Sequence, residues 1–288
     1  MKFEEYFPYH DYDRKHCPVC DYLSHTEWAQ EEFFTAVQCK QCSFVYIHPS
    51  LNEDGLNYYY SNYIGDRFRN KKKMEDRSLQ YKIDASFLHK VISKGNLLDV
   101  GCNGGFFLNE LSNDFTKYGI EIDADAVKYA RNEFGLDVVH GVIGKDSFQE
   151  SFFDVITFRG VIEHILEPRV ALKRAVELLK PGGFIYFCAT PNLQSFGADF
   201  YREKWNLWHP IEHINIFDAK TLHQLLGMNI FTLHTEDYQY LGTPYEDQSQ
   251  DYAQLIEDII LKDSGRWDDV KKSKPFWGNM MSLIYQKK

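Results

Sequence analysis

The run Leu97-Leu98-Asp99-Val100-Gly101-Cys102-Asn103-Gly104-Gly105 constrains this chain more than any other segment. A short apolar run that breaks into glycines reads as a buried strand ending in a turn. The glycines let backbone approach a ligand where side chains would clash. A helix opening near Gly105 would aim free N–H groups into the same place. Glu121 lies twenty positions after Gly101, at the end of the next apolar run. A carboxylate there can accept both hydroxyls of a ribose. The combination describes a pocket for a nucleoside-bearing cofactor. Its spacing is D-x-G-x-N-x-G rather than the G-x-G-x-x-G that clears a dinucleotide pyrophosphate.

From Gly95 onward, short apolar runs alternate with helical periods, the pattern of a parallel sheet with crossover helices. The predicted strands are Asn96–Val100, Tyr118–Ile122, Asp137–His140, Phe153–Phe158 and Gly183–Ala189. Helices are predicted near Gly105–Asn113, Ala124–Phe134 and Val170–Leu179, the last stopped by Pro181-Gly182-Gly183. Further along, Ala219–Leu226 reads as a helix, and Ile230–Thr235 and Met280–Gln286 read as strands. Residues 243–275 form a polar insertion holding one amphipathic helix, Tyr252–Leu261.

Upstream, Cys17-Pro18-Val19-Cys20 and Cys39-Lys40-Gln41-Cys42 make two CxxC pairs, with 18 residues between Cys20 and Cys39. Each pair presents two thiolates from a tight knuckle, and four thiolates close a tetrahedron around zinc. Such a metal is structural, with no open position for chemistry. The alternatives are four unrelated buried cysteines or a redox pair, for which a preceding thioredoxin-like strand is missing. The expected organisation is a zinc ribbon over residues 1–50, a helical lid or linker over 51–92 and an α/β domain over 93–288. The linker carries Tyr58, Tyr59, Tyr60 and Tyr63, then a basic cluster of Arg67, Arg69, Lys71, Lys72 and Lys73. The tyrosines either lid the cofactor or cover apolar surface. The basic cluster either meets a sugar diphosphate or is a solvated helix face.

A chain of 288 residues can bury a full core plus a small module. Its formal net charge of -10 argues against a large polyanionic partner, and residues 1–50 carry only Lys2, Arg14, Lys15 and Lys40 against several acids. No apolar run approaches the roughly 20 residues of a membrane span. The start, Met1-Lys2-Phe3-Glu4-Glu5-Tyr6, lacks the apolar stretch of a signal peptide, so the expected location is cytoplasmic, with cysteines that hold metal.

The D-x-G-x-N-x-G turn resembles the first motif of class I S-adenosylmethionine-dependent methyltransferases. Tyr118-Gly119-Ile120-Glu121 resembles their second strand, Phe153 to His164 their fourth strand and following loop, and Leu178-Leu179-Lys180-Pro181-Gly182-Gly183 their turn into the fifth strand. The resemblance implies a Rossmann-like sheet with helices on both faces. It implies a cofactor site of Asp99, Gly101, Cys102, Asn103, Gly105, Glu121, Ile122, Arg159 and Tyr63. Asn103 stands where glycine is commoner in the family and needs a turn conformation that Asn adopts readily. The whole chain resembles bacterial methyltransferases with an N-terminal zinc ribbon, often acting on sugars. The residues that carry this are Cys39 to Tyr46 followed by Pro49 and Tyr59-Tyr60-x-x-Tyr63, and Pro210-Ile211-Glu212-His213-Ile214-Asn215-Ile216-Phe217.

What the resemblance implies is methyl transfer to a small sugar acceptor, O-methylation ahead of C-methylation. The competing reading is a macromolecular acceptor such as RNA, with the ribbon as docking module. The oligomeric state is open. An acceptor hydroxyl needs a base of near-neutral pKa, and histidine suits it. Both His164 and His213 follow a glutamate in a loop at the C-terminal edge of the sheet. His213 is the expected base, with Glu212 orienting it or holding a sugar hydroxyl. His164 is either a base or a residue that shapes the pocket, and His209 could stand in for His213. Trp205 and Trp208 either stack on a sugar ring or pack.

Overall fold

The computed structural model describes residues 3–63 and 71–288, with the side chains of 61–63 and 71–76 outside the description. The first part holds strands β1 (His25–Glu31), β2 (Phe34–Cys39) and β3 (Val45–Ile47), then helices α1 (Glu53–Tyr63) and α2 (Lys71–His89). Next come β4 (Gly95–Val100), α3 (Phe106–Glu110), β5 (Phe115–Glu121), α4 (Ala124–Phe134), β6 (Asp137–His140) and β7 (Phe153–Arg159). After these run α5 (Pro168–Leu178), β8 (Leu179–Pro191), α6 (Phe196–Tyr201), β9 (Asn215–Ile216) and α7 (Ala219–Leu226). The chain closes with β10 (Phe231–Asp237), α8 (Gln248–Asp263) and β11 (Met280–Lys287). Arg67 and Arg69 of the basic cluster lie outside the described residues, as do the side chains of Tyr63 and Lys71 to Lys73. No helix among the described residues is long and apolar enough to cross a membrane.

Seven strands form one sheet in the order β10-β11-β8-β7-β4-β5-β6. The five from β8 to β6 run parallel, and β11 lies antiparallel between β8 and β10. Alternation along the strands explains why helices cover both faces. Leu98, Ile156 and Ile185 pack with Leu172 of α5 and Leu222 of α7. Their neighbours Leu97, Val155 and Tyr186 pack with Leu88 of α2, Phe107 of α3 and Val127 of α4. The strand order reverses direction between β4 and β7, which opens a crevice at the C-terminal ends of those strands.

Two local expectations need correction. The fifth parallel strand begins at Leu179, opposite Phe153, so Pro181-Gly182-Gly183 lies inside β8 rather than stopping a helix. The helix has already ended at Leu178, and Pro181 biases Lys180 toward extended backbone. The register shifts between Phe153 and Val155, so the Pro-Gly-Gly segment sits at an irregularity of the ladder. The helix after the glycine turn is also shorter than its pattern suggests. It closes at Glu110, where Leu111 turns extended.

The cysteine-bearing segment folds as a second sheet, β1-β2-β3-β9, whose fourth strand comes from far along the chain. Val45 pairs with Ile216 and Tyr46 with Asn215. The buried Arg14 guanidinium locks this junction, donating to the Ile214 carbonyl at 2.9 Å and to Asn215 Oδ1 at 2.7 Å. The Phe44 and Phe217 rings meet at 4.8 Å. The segment Pro210–Phe217 is thus positioned by the cysteine module. Trp205 and Trp208 are fully buried beneath it, and Trp208 Nε1 donates to Glu31 at 2.7 Å. Both therefore pack and leave no face for a sugar ring.

Candidate active site and cysteine cluster

A cavity of about 720 Å³ opens at the crevice between β4 and β7. Asp99, Gly101, Cys102, Asn103, Glu121, Ile122 and Arg159 line it, and so do Glu163, His164, Glu212 and His213. Gly101 has φ +69°, and a Cβ there would stand 2.6 Å from Val161 Cγ2, so backbone alone fits this part of the wall. Asn103 adopts the left-handed conformation, φ +51°. Its N–H donates to Glu121 Oε2 at 2.8 Å, while Asp123 N–H donates to Oε1 at 2.9 Å. Burial pushes the Glu121 pKa up and these N–H groups oppose that rise. Glu121 therefore ties the glycine turn to the end of β5 and keeps further lone pairs for a ligand.

Gly105 is a correction. It does not line the cavity; its left-handed backbone caps α3, and a Cβ would stand 2.4 Å from Leu136 and 3.2 Å from Ala130. The glycine lets α3 approach α4. The Cys102 side chain packs over Gly119, where a Cβ would meet its sulfur at 2.5 Å, so Cys102 offers the cavity mainly backbone. Ile122 is exposed at the cavity rim, an apolar face for a flat ring.

Arg159 is not a free cation. Its Nε and Nη2 both reach Asp84 Oδ2 at 2.8 Å, and the guanidinium sits 4.2 Å from the Tyr81 ring centroid. Asp84, on α2, was missed by sequence reasoning, although a signal exists. Tyr81, Asp84, Ala85 and Leu88 follow helical spacing, and an acid in an apolar stripe needs a buried cation. Gln80 Nε2 completes the group, donating to Asp84 Oδ1 at 2.9 Å.

Asp99, at the end of β4, is buried, and burial pushes its pKa to about 7; the Thr157 hydroxyl, donating at 2.5 Å, opposes the rise. The sign of the pH effect follows. The folded chain keeps a proton that the unfolded chain sheds near pH 3.8, so stability falls as pH rises from about 4 to about 7. Asp99→Asn keeps an acceptor for Thr157 and removes the titration. We expect urea denaturation to show the variant gaining on the wild type across that window, by roughly 4 kcal/mol at most. Parallel pH profiles would refute this.

The chemistry-bearing end of the cavity joins two loops. A 3₁₀ turn after β7, Ile162–His164, presents Glu163 and His164. The segment held by β9 presents Glu212 and His213. His164 Nδ1 lies 2.9 Å from the Glu212 carbonyl and His213 Nδ1 lies 2.7 Å from the Leu207 carbonyl. A carbonyl only accepts, so each Nδ1 carries a proton. The ring centroids are 4.9 Å apart. Glu212 thus orients His164 through its backbone, while Leu207 orients His213. His209 is exposed and is not among the cavity-lining residues, and its ring packs 5.2 Å from that of His213. Glu163 was quoted in the sequence motif without a role. It is 1% exposed, and burial pushes its pKa to about 8.

The four cysteines converge. Cys17 and Cys42 sulfurs are 3.5 Å apart, as are those of Cys20 and Cys39, and all four lie within 4.8 Å of one another. These spacings are far beyond a disulfide bond and suit the edges of a thiolate tetrahedron. The two knuckles repeat one geometry. Asp21 N–H donates to the Cys17 carbonyl at 2.9 Å and Ser43 N–H to the Cys39 carbonyl at 3.0 Å. Asp21 and Ser43 both have left-handed backbone, φ 67° and 65°.

Comparison with known proteins adds a family. The family model described as a methyltransferase domain matches residues 70–235. A ubiquinone biosynthesis O-methyltransferase of Nitrosococcus oceani is 33% identical over 125 residues, 39% of this chain and 53% of that protein. One from Thiobacillus denitrificans is 31% identical over 98 residues, 32% of this chain and 42% of that protein. The chain thus spans about half the length of the curated relatives it matches. Among solved structures, an S-adenosylmethionine-dependent methyltransferase of Thermotoga maritima superposes with a TM-score of 0.55 at 16% identity, covering 81% of this chain and 99% of that one. At that identity the likeness speaks to the fold alone.

Proposed function

The chain belongs to the methyltransferase-domain family, and on that premise we propose that it methylates a hydroxyl of a small, sugar-like acceptor, with one structural zinc in the cysteine cluster. The observation that carries the reading is continuity: the glycine turn, Glu121 and the His164–His213 pair wall a single cavity. When bound, S-adenosylmethionine supplies a methyl group activated by a positively charged sulfur. The residues present fit it. Gly101 leaves room for close approach, Glu121 offers lone pairs for ribose hydroxyls, and Ile122 offers an apolar face for the purine. Asp99 and the backbone of Cys102 and Asn103 complete that wall. Arg159, neutralised by Asp84, shapes it rather than pairing with ligand charge.

At the other end His213 is the general base. Its Nδ1–H is held by Leu207, so Nε2 is the nitrogen that can take a hydroxyl proton. His164, fixed by Glu212, packs beside it. Glu53, Asn57, Glu167 and Glu212 add hydrogen-bonding groups to the wall, which suits a polyhydroxylated acceptor better than an apolar one. A hydroxyl of an intermediate in ubiquinone biosynthesis is the second reading, suggested by the names of the two curated relatives.

Calorimetry tests the cofactor site. We expect S-adenosylhomocysteine to bind, and Glu121→Ala to weaken it by about 1.5–3 kcal/mol, the scale of hydrogen bonds to a charged group. Unchanged affinity would remove Glu121 from the ribose site. Isotope-labelled S-adenosylmethionine offered with nucleotide sugars and catechols, read by mass spectrometry, then identifies the acceptor class. Label on the catechols alone would overturn the sugar reading.

A further inference from the structure

The wall of the cavity contains a second set of metal-ligating groups. Glu163, His164 and His213 each bring one ligand atom to within 4.8 Å of the others. His164 Nε2 stands 3.8 Å from Glu163 Oε1, and the side chains of this pair are 19% and 2% exposed. Three features make this more than a chance cluster. First, Glu163 Oε2 is buried in the cavity wall without a hydrogen-bond partner among the described residues, a costly state for a polar atom. Second, both imidazoles hold their Nδ1–H on backbone carbonyls, the arrangement that orients a metal-bound histidine. Third, the three groups come from two loops on rigid supports: the turn after β7, and the segment fixed by β9 and Arg14.

We propose that Glu163, His164 and His213 bind one divalent first-row transition cation, which coordinates the acceptor hydroxyl. Two imidazoles and one carboxylate suit such cations and leave positions open for an exogenous oxygen. The cysteine cluster is a different kind of site, with four soft ligands and a closed shell. This inference rests on the cavity being the methyl-transfer chamber. A coordinated hydroxyl loses its proton to solvent more readily, because the cation stabilises the oxygen anion. That oxygen then forms the new C–O bond, and the electron pair of the broken C–S bond stays on sulfur. With the cation bound, His213 is a ligand; without it, His213 is the base.

Full-length protein is dialysed against a weak chelator that leaves the thiolate-bound metal in place. Manganese(II) is then titrated and its free form followed by electron paramagnetic resonance. Manganese avoids thiolate sites and so reports on the new one. The expected result is one manganese bound per chain. Glu163→Gln, nearly the same shape, and His164→Ala should each weaken binding 10-fold or more, while S-adenosylhomocysteine affinity stays at the wild-type value and shows that the variants fold. No saturable binding to the wild type, or equal binding to wild type and both variants, overturns the proposal. The failures are separable. S-adenosylhomocysteine binding without manganese binding sinks the cation and leaves methyl transfer standing; manganese binding without S-adenosylhomocysteine binding upholds the site and sinks the functional reading.

Discussion

His213→Ala lowers kcat by about 10²–10⁴, the worth of a positioned proton acceptor, and leaves S-adenosylhomocysteine affinity at the wild-type value. The expectation follows from placement. His213 reaches the cavity from the segment that β9 and Arg14 pin to the cysteine module, and its tautomer is set by the Leu207 carbonyl. Glycine turn and Glu121 lie on other elements, so the truncation does not disturb them. His164→Ala separates two ways in which His213 can act. If His213 works alone as a base, losing His164 costs only the packing of its ring at 4.9 Å, and kcat falls a few-fold. If the two rings share a cation, both variants fall by similar factors. Full activity of His213→Ala would place the proton acceptor elsewhere, or point to an acceptor that is already ionised.

The second large effect comes from residues outside the cavity lining. Cys17→Ser is expected to abolish stoichiometric zinc and to lower the melting temperature steeply. Structural zinc contributes on the order of 10 kcal/mol to the folding of small metal-ordered modules, and most of that requires all four thiolates. The module is not an isolated appendage. It shares β9 with the acceptor-side segment and buries Phe44 against Phe217. Turnover should therefore fall although no cofactor residue has changed, and S-adenosylhomocysteine should still bind below the melting transition. Elemental analysis, thermal denaturation and calorimetry measure the three quantities. Wild-type protein that is metal-free, folded and equally heat-stable would sink the zinc assignment.

The legible parts of this molecule were those where chemistry forces local sequence. Gly101 and Asn103 stand out because a tight turn admits few residue types, and Glu121 accepts the Asn103 N–H that ties this turn to the next strand. The paired cysteines do the same. Alternating apolar runs also disclosed the parallel sheet, since a strand covered on both faces has little choice of side chain. What stayed hidden was set by distant partners. Nothing near Asn215 and Ile216 marks them as a strand of two residues that completes another module's sheet. Gly105 looked like part of the ligand turn, yet its neighbours are Leu136 and Ala130, many residues away. Pro181 looked like a helix stop because local rules see the proline and not the pairing of Leu179 with Phe153. The Arg159–Asp84 pair spans 75 positions and needed the fold to be seen.

The shared β9 also has a consequence for biosynthesis. Arg14 and its acceptor Ile214 stand 200 positions apart. At roughly 5–20 residues per second, a ribosome delivers the second partner on the order of ten to forty seconds after the first. During that interval the nascent cysteine module has an open edge at β3 and a guanidinium with no carbonyl to receive it. If the four cysteines hold the proposed zinc, metal captured early by the two knuckles would keep the module in shape through the wait, and zinc supplied during synthesis would raise the yield of folded chain.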